Sequence, residues 1–293
     1  VNYANLKISI VIPVYQAQDC LIELNNRIID VISYTPYTFE IIYIEDCSID
    51  NSLAILTKIK AENFKNNIII LSNEVNYGQH ISILHGLRKS TGDLVIVMDC
   101  DLQDNPTDIL LLLESYINNT NIQIHQITVK NHTDFFRNLA SRLAINTYSL
   151  FMHENVKNSG ANFKLVTRNV VNQIIKLNVN LLSFPLDLFY LRYEAKSLFG
   201  NKEQRYSGKS SYSLYKLIEL MILTFVYKES KQWRLIFIPT VILNIFLIIF
   251  NIELILSLSL NVILISVLFT FIKFFKNKIN KIKYLQTITT EIT

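Results

Sequence analysis

The chain has 293 residues, half of them hydrophobic, with 28 Lys and Arg against 24 Asp and Glu and a formal net charge of +4. That length allows one or two domains, and so small a net charge gives no case for nucleic acid as a partner. The three cysteines, Cys20, Cys47 and Cys100, are odd in number and lack metal-ligand spacing, so they read as small buried residues in a reducing compartment rather than as a disulfide framework or a zinc site.

Residues 1–7 are polar and lead straight into a strand, so no signal peptide is expected. Residues 7–14, KISIVIPV, read as a first buried strand stopped by Pro13. Residues 19–33 have helical spacing, with Leu21, Leu24, Ile28 and Val31/Ile32 on one face. Residues 39–44, FEIIYI, form a second strand that ends in Glu45-Asp46-Cys47-Ser48, after which Asp50-Asn51-Ser52 supplies the N-cap of a second helix. Residues 67–71 are a third strand, and 78–90 a third helix closed by Thr91-Gly92. This alternation predicts a parallel sheet with right-handed crossovers.

The fourth strand organises the rest. Residues 94–98, LVIVM, are an apolar, β-branched run that breaks into Asp99, Asp101, Gln103 and Asp104. Open α/β sheets bind ligands at the carboxyl ends of such strands. Asp99 and Asp101 are two apart, so a regular strand aims both at one face. Oxygen ligands grouped this way suit Mg²⁺ or Mn²⁺, which in turn holds phosphate oxygens. Asp104 or Asn105 reads instead as the cap of a helix that Pro106 opens. Polar residues follow three of the strands, as Tyr15-Gln16, Glu45-Asp46 and Asp99-x-Asp101, and a parallel sheet would gather them along one edge as a nucleotide-diphosphate site. Neither G-x-G-x-x-G nor G-x-x-x-x-G-K-[ST] occurs, which disfavours a Rossmann dehydrogenase or a P-loop NTPase.

Residues 122–129 alternate as a strand does. Residues 133–151 have an amphipathic helical pattern in which Arg137 and Arg142 project between aromatic and aliphatic positions; a membrane-surface helix, an anion site and an ordinary solvated helix all fit. Residues 162–167 read as a strand, 168–177 as a helix, and 181–190 as an apolar stretch around Pro185 that grazes the membrane. Residues 205–213, RYSGKSSYS, combine flexible backbone, hydroxyls and two cations; such a loop can wrap a phosphate or simply be a mobile surface loop. Residues 212–227 form an amphipathic helix that leads into the tail.

From 235 to 272 the only charge is Glu253. One helix of that length would far exceed a hydrocarbon core of roughly 30 Å. Two spans, 233–250 and 254–272, fit, joined by a tip at Asn251-Ile252-Glu253. Lys228, Lys231 and Arg234 flank the first span, and Lys273, Lys276, Lys278, Lys281 and Lys283 follow the second, so both flanks and the preceding domain are expected on the cytoplasmic side, with Trp233 in the interfacial belt. The expected organisation is a cytoplasmic domain over 1–211, a juxtamembrane helix over 212–232, two membrane helices over 233–272 and a basic tail over 273–293.

Several stretches carry a resemblance: IVIPVY at 10–15, IIYIEDCSIDNS at 41–52, NYGQH at 76–80, MDCDLQD at 98–104, RNLASR at 137–142, GANFKL at 160–165 and RYSGKSSYS at 205–213. On these the chain resembles family 2 glycosyltransferases of the GT-A fold and, within them, the polyprenyl-phosphate sugar synthases. That group includes dolichol-phosphate mannose synthase, the bacterial undecaprenyl-phosphate glucosyltransferases and the enzyme that loads aminoarabinose on the same lipid. The resemblance implies an α/β fold, a GT-A type mostly parallel sheet flanked by helices, followed by a transmembrane helical hairpin. It implies an inverting, membrane-bound transferase that moves a sugar from a nucleotide-sugar, UDP-hexose by preference, to polyprenyl (undecaprenyl) phosphate in cell-surface glycan or lipopolysaccharide synthesis. Pro13, Tyr15, Glu45, Asp46, Gln79 and Asp99 would line the nucleotide pocket, and Asp99, Asp101 and Gln103 would hold Mg²⁺ or Mn²⁺. Arg137, Arg205 and Lys209 would meet the acceptor phosphate or the donor diphosphate. The partners implied are the nucleotide-sugar, the polyprenyl phosphate and the lipid bilayer at the inner, cytoplasmic membrane; assembly into a homo-oligomer is left open.

This sequence departs from the family in four places. It has Glu45-Asp46-Cys47-Ser48 where the family shows Asp-Asp-Gly-Ser, Gln16 where Asn usually follows the Tyr, Asn162 where several relatives carry Asp, and only Lys130 near the end of the strand after the metal motif, where an Arg is often found. The same residues admit a transferase acting on a glycan or lipid-linked saccharide, which would need a general base, and a catalytically silent relative.

Overall fold

The computed structural model describes residues 6–63, 65–128, 162–176 and 193–200, together with Phe184, Leu188 and Leu191. The chain divides into two units, Val1–Ser211 and Tyr212–Thr293, and every described residue lies in the first. Arg137, Arg205 and Lys209, the helices expected over 133–151 and 212–227, and both expected membrane spans lie outside the described residues. Among the described residues no helix is long and apolar enough to cross a membrane.

The first half of the chain alternates as its pattern predicts. Strand β1 (Lys7–Val14) leads to α1 (Leu21–Ser33), β2 (Thr38–Glu45) to α2 (Ser52–Glu62), β3 (Asn67–Ser72) to α3 (Gln79–Lys89), and β4 (Leu94–Val97) to α4 (Asp108–Asn118). Then come β5 (Ile124–Thr128), β6 (Lys164–Thr167), α5 (Arg168–Lys176) and β7 (Ala195–Phe199). The seven strands form one sheet in the order β3-β2-β1-β4-β6-β5-β7. β3, β2, β1 and β4 are mutually parallel, while β6 runs antiparallel to both β4 and β5, and β7 pairs parallel with β5. The sheet is therefore mixed, and β6 presents its amino end where β4 presents its carboxyl end.

The strands are apolar throughout because both faces of the sheet are covered. On one face Ile8, Ile10 and Ile12 of β1, Ile41 and Tyr43 of β2, and Leu94 and Ile96 of β4 pack with Leu24 and Ile28 of α1, Leu56 of α2 and Leu112 of α4. On the other, Val11, Ile42, Ile44, Val95 and Val97 pack with Ile83, Leu84 and Leu87 of α3 and Val170, Val171 and Ile174 of α5. Alternate residues of each strand thus serve alternate layers. Helix α3 lies especially close to the sheet: a Cβ added at Gly86 would fall 2.7 Å from Ile44 Cδ1 and closer still to Val11 Cγ1.

At the amino ends of the strands, buried Glu40 ties three segments together. It accepts from Ser9 Oγ at 2.5 Å, Thr91 N at 2.6 Å and Thr91 Oγ1 at 2.9 Å, and pairs with Lys7 Nζ at 3.1 Å. This edge is stitched shut, and the opposite, carboxyl edge is left for the loops described next.

The N-cap of α2 falls at Asn51, within the stretch the sequence marks, while the start of α4 differs from the sequence expectation. Asn51 makes no side-chain capping bond to α2; Asp50 Oδ1 accepts from Ser52 N at 3.0 Å instead. Neither Asp104 nor Asn105 is the cap of α4, which is Thr107. Asn105 Oδ1 takes the Thr107 N–H one turn earlier, and Asp104 Oδ2 reaches back to accept from Asp99 N at 3.2 Å. The competing pull is local: a short Asx turn and a carboxylate closing its own loop satisfy the donors before the helix begins.

Candidate active site

Because β2, β1 and β4 are parallel neighbours, their carboxyl ends lie side by side, and the loops that leave them are knitted together. Gln16 N donates to Ser48 Oγ at 3.0 Å, Ala17 N to Ser52 Oγ at 3.0 Å and Gln18 N to Asp50 Oδ2 at 3.2 Å, which joins the β1 and β2 loops. Cys20 Sγ donates to Cys100 O at 3.0 Å, which joins α1 to the β4 loop. Each loop contains a non-glycine residue in the left-handed region: Gln16 at φ 50°, Cys47 at φ 55° and Leu102 at φ 60°. Such backbone costs of order 1–3 kcal/mol per residue and persists only where the surroundings over-determine it, typically at functional sites. The Asn and Gly that the family shows at positions 16 and 47 are the residues that tolerate this conformation best.

Asp46 is the hub of the loop after β2. It is buried, and its Oδ1 accepts from Asn73 Nδ2 at 2.8 Å and Tyr77 N at 2.9 Å, while Oδ2 accepts from Gly78 N at 2.7 Å. The carboxylate thereby moors the whole 73–78 loop to β2. Gly78 sits at φ 88°, which an L side chain rarely adopts. Asn73 continues the network: its amide also donates to Ser82 Oγ at 3.1 Å, and its Oδ1 faces His85 Nδ1 at 3.0 Å. With the Asn73 amide group committed as donor, His85 Nδ1 must carry the proton, a tautomer assigned from the network. Burial, reinforced by Arg88 and opposed by Asp46, pushes the His85 pKa down to about 4, so the ring is neutral near pH 7. Its Nε2 is buried without a hydrogen-bond partner among the described residues.

Glu45, the longer residue in the family's first Asp position, is buried and closes its own turn. Its Oε1 accepts from Ser48 N at 2.6 Å and its Oε2 from Ser72 Oγ at 3.4 Å. Pro13 is buried inside β1, and Tyr15 stands 47% exposed beside the pocket.

Asp99 lies one strand over. Gln79, the first residue of α3, donates from Nε2 to Asp99 Oδ1 at 2.6 Å. Asn162, just ahead of β6, places its Nδ2 at 3.4 Å from both Asp99 oxygens. Asp101 Oδ1 accepts from Gln103 N at 3.1 Å, folding the loop back on itself. Among the described residues no group of three or more His, Cys, Asp and Glu gathers as a metal site. The donors on this loop are two carboxylates and the Gln103 amide, an all-oxygen set whose chemistry fits a hard divalent cation.

Two residues beyond Asn162, Lys164 is buried in β6, where its Nζ donates to Gln126 Oε1; Gln126 Nε2 in turn donates to Ser197 Oγ at 2.9 Å. Burial pushes the Lys164 pKa down to about 7. Asn73 carries no signal in the sequence beyond its place after a strand, like the other site loops, and Lys164 carries none; Asn162 stands out as a departure from the family, but its pairing with Asp99 does not.

The glycosyl transferase family 2 model matches residues 9–174 of the chain. A protein named undecaprenyl-phosphate 4-deoxy-4-formamido-L-arabinose transferase, from Sodalis glossinidius (strain morsitans), is 29% identical over 215 residues, covering 73% of this chain and 65% of the relative. The protein of the same name from Pseudomonas fluorescens (strain SBW25) is 31% identical over 216 residues, covering 73% of this chain and 62% of the relative. The matched part of the chain thus spans a little less than two thirds of these relatives' length. A crystal structure of glucosyl-3-phosphoglycerate synthase from Mycobacterium tuberculosis, in complex with Mn²⁺, uridine diphosphate and glucosyl-3-phosphoglycerate, is similar with a TM-score of 0.54 and 14% identity, over 77% of this chain and 79% of that one. That likeness is one of fold, and the mixed sheet flanked by helices is GT-A-like.

Proposed function

The chain belongs to glycosyl transferase family 2, and from that premise we propose that it transfers a sugar from a nucleotide-sugar, UDP-linked by preference, to a polyprenyl phosphate at the cytoplasmic face of a membrane. The observation that carries this reading is that consecutive residues at the start of α3 join the two acidic loops. Gly78 N binds Asp46 at 2.7 Å and the Gln79 side chain binds Asp99 at 2.6 Å. A nucleotide pocket braced by Asp46 and a diphosphate site at Asp99 would thereby be held at a set separation. The names of the relatives from Sodalis glossinidius and Pseudomonas fluorescens support the acceptor class, and the Mn²⁺ and uridine diphosphate of the M. tuberculosis synthase complex support the donor and a divalent cation.

Tyr15, Pro13 and the Asp46-moored loop hold the base and ribose. Asp99, Asp101 and Gln103 are the residues that would hold Mg²⁺ or Mn²⁺, which when bound supplies positive charge to the diphosphate leaving group. A phosphate oxygen of the acceptor attacks the anomeric carbon in line, the bond from that carbon to the diphosphate oxygen breaks, and the configuration inverts. Arg137, Arg205 and Lys209 are assigned to the phosphates on their charge. The acceptor requires no general base, because a phosphate monoester with a second pKa near 6 is largely ionised at neutral pH. That agrees with the side chain standing beside Asp99: Asn162 is a carboxamide, which takes up no proton near neutral pH. A hydroxyl acceptor would have to lose its proton during attack. The segment 233–272 would keep the site at the leaflet that presents the lipid phosphate.

The test is a donor screen with the full chain in detergent, a short polyprenyl phosphate, Mg²⁺ or Mn²⁺, and a panel of UDP- and GDP-sugars, following nucleoside diphosphate release and lipid mass. One donor is expected to give a metal-dependent lipid-phosphate-sugar, and Asp101→Ala to lower its rate by about 10²–10³-fold, the scale of losing one electrostatic stabiliser. Full activity in a folded Asp101→Ala protein, or nucleotide binding without lipid product across the panel, would sink the reading.

A further inference from the structure

Asn162, a departure from the family, stands against Asp99. Asp99 is approached from two elements far apart in sequence. Gln79 reaches it from the start of α3, 20 residues away, and Asn162 from the approach to β6, 63 residues away. Both bring the amide end of a carboxamide. The Gln79 bond is short, 2.6 Å to Oδ1 alone, whereas Asn162 straddles the group at 3.4 Å from each oxygen. The carboxylate torsion of Asp is broad and roughly two-fold, so an Asp on a loop does not hold a plane by itself. Donors on both flanks fix that plane.

We propose that Gln79 and Asn162 are positioning residues that together orient the Asp99 carboxylate for the cation of the diphosphate site, an inference that rests on the reading of Asp99 as a metal ligand given above. The chemistry of the two side chains suits the task. An ionised carboxylate can accept from several donors at once, and amide donors leave its negative charge in place. A carboxamide donor adds no positive charge to compete with a metal. A carboxylate at position 162 would instead set a like charge against Asp99. Asn162 is thus a donor to the metal loop rather than a base that has been lost. The placement of Gln79 follows from the turn before it: Gly78, at φ 88° and bound through its N–H to Asp46, sets where α3 begins and therefore where the Gln79 amide reaches. Occupancy of the nucleotide side and orientation of Asp99 are coupled through that turn.

The experiment measures Mn²⁺ affinity by electron paramagnetic resonance in the presence of saturating UDP, on the full chain in detergent, for wild type, Gln79→Ala, Asn162→Ala and the double variant. UDP affinity without metal and the thermal melt are read in parallel. Orienting partners outside the metal ligands typically govern affinity by 10–100-fold. Gln79→Ala is expected to weaken Mn²⁺ binding about tenfold and Asn162→Ala about threefold, its contacts lying at the long edge of hydrogen bonding. Metal-free UDP affinity is expected to stay within about twofold for Asn162→Ala. The double variant is expected to lose less than the product of the single losses, because both residues act on one carboxylate. Should Gln79→Ala fail to fold, Asn162→Ala and its metal-free control carry the test alone. Wild type that binds Mn²⁺ with UDP while the folded variants match it within about twofold overturns the clamp. So do single losses that simply multiply in the double variant. Wild type that binds no Mn²⁺ with UDP overturns the metal reading itself, and the clamp with it.

Discussion

A carboxylate that accepts three hydrogen bonds cannot be replaced by its amide without leaving donors facing a donor. Asp46 takes Asn73 Nδ2, Tyr77 N and Gly78 N, and hydrogen bonds to a charged group contribute about 1.5–3 kcal/mol each. Asp46→Asn is therefore expected to loosen the 73–78 loop and to weaken UDP binding by about tenfold or more, roughly the 1.4 kcal/mol step or greater; isothermal titration with UDP reads it, and unchanged affinity would remove Asp46 from the pocket. Lys164 gives a pH signature. Its pKa is lowered from 10.5 to about 7 by burial, so between those values the unfolded chain binds more protons than the folded one. Stability must then rise with pH across that window. Denaturant midpoints taken at pH 7, 8 and 9 are expected to climb, and Lys164→Met to flatten the climb. At this scale the sequence was legible where chemistry is local to a strand end, as at Asp46 and Asp99. It was not legible for Asn73 and Lys164, nor for the pairing of Asn162 with Asp99, because those partners come from other elements.

At the scale of elements, α3 packs closely on the sheet. Gly86 lets the helix approach so near that an added Cβ would stand 2.7 Å from Ile44 Cδ1. Gly86→Ala gains about 1 kcal/mol of intrinsic helix propensity, yet overpacking of this kind costs about 1–3 kcal/mol. The substitution is expected to lower the denaturation midpoint and, by pushing α3 outward, to weaken Mn²⁺ binding as well, since α3 carries Gln79. An unchanged melt would show that the sheet yields at no cost. The hydrophobic runs of β1 to β4 and the helical spacing of α1 and α3 were readable because each is a one-dimensional pattern. The cap of α4 was not, because several polar residues in a row offered equally good local partners and only the loop's closure selected among them. β7 escaped for a related reason: Ala195–Phe199 is short and lacks strong alternation, and its pairing with β5 supplies what its own sequence does not.

For the whole molecule, the described residues account for a GT-A-like sheet and the acidic edge that carries the proposed donor site, while the acceptor side of the proposed reaction falls on segments the sequence marks as basic or apolar. The stretch 233–272, with Glu253 as its only charge after Arg234, is expected to anchor the chain. Expressed in bacteria, the full chain should sediment with membranes and stay there after alkaline carbonate washing, whereas release into the wash would show attachment through the surface alone. Activity toward polyprenyl phosphate should likewise require detergent or lipid.

The sequence by itself determined the strand and helix alternation and the acidic strand ends, because those are carried by composition and spacing along the chain, and its motifs carried the resemblance to the family. The tertiary structure decided that β6 enters antiparallel beside β4, which sets Asn162 against Asp99. It also decided that one turn at Gly78 and Gln79 binds both acidic loops. No spacing rule contains either result, since contacts between residues 20 and 63 apart exist only once the sheet order has been chosen.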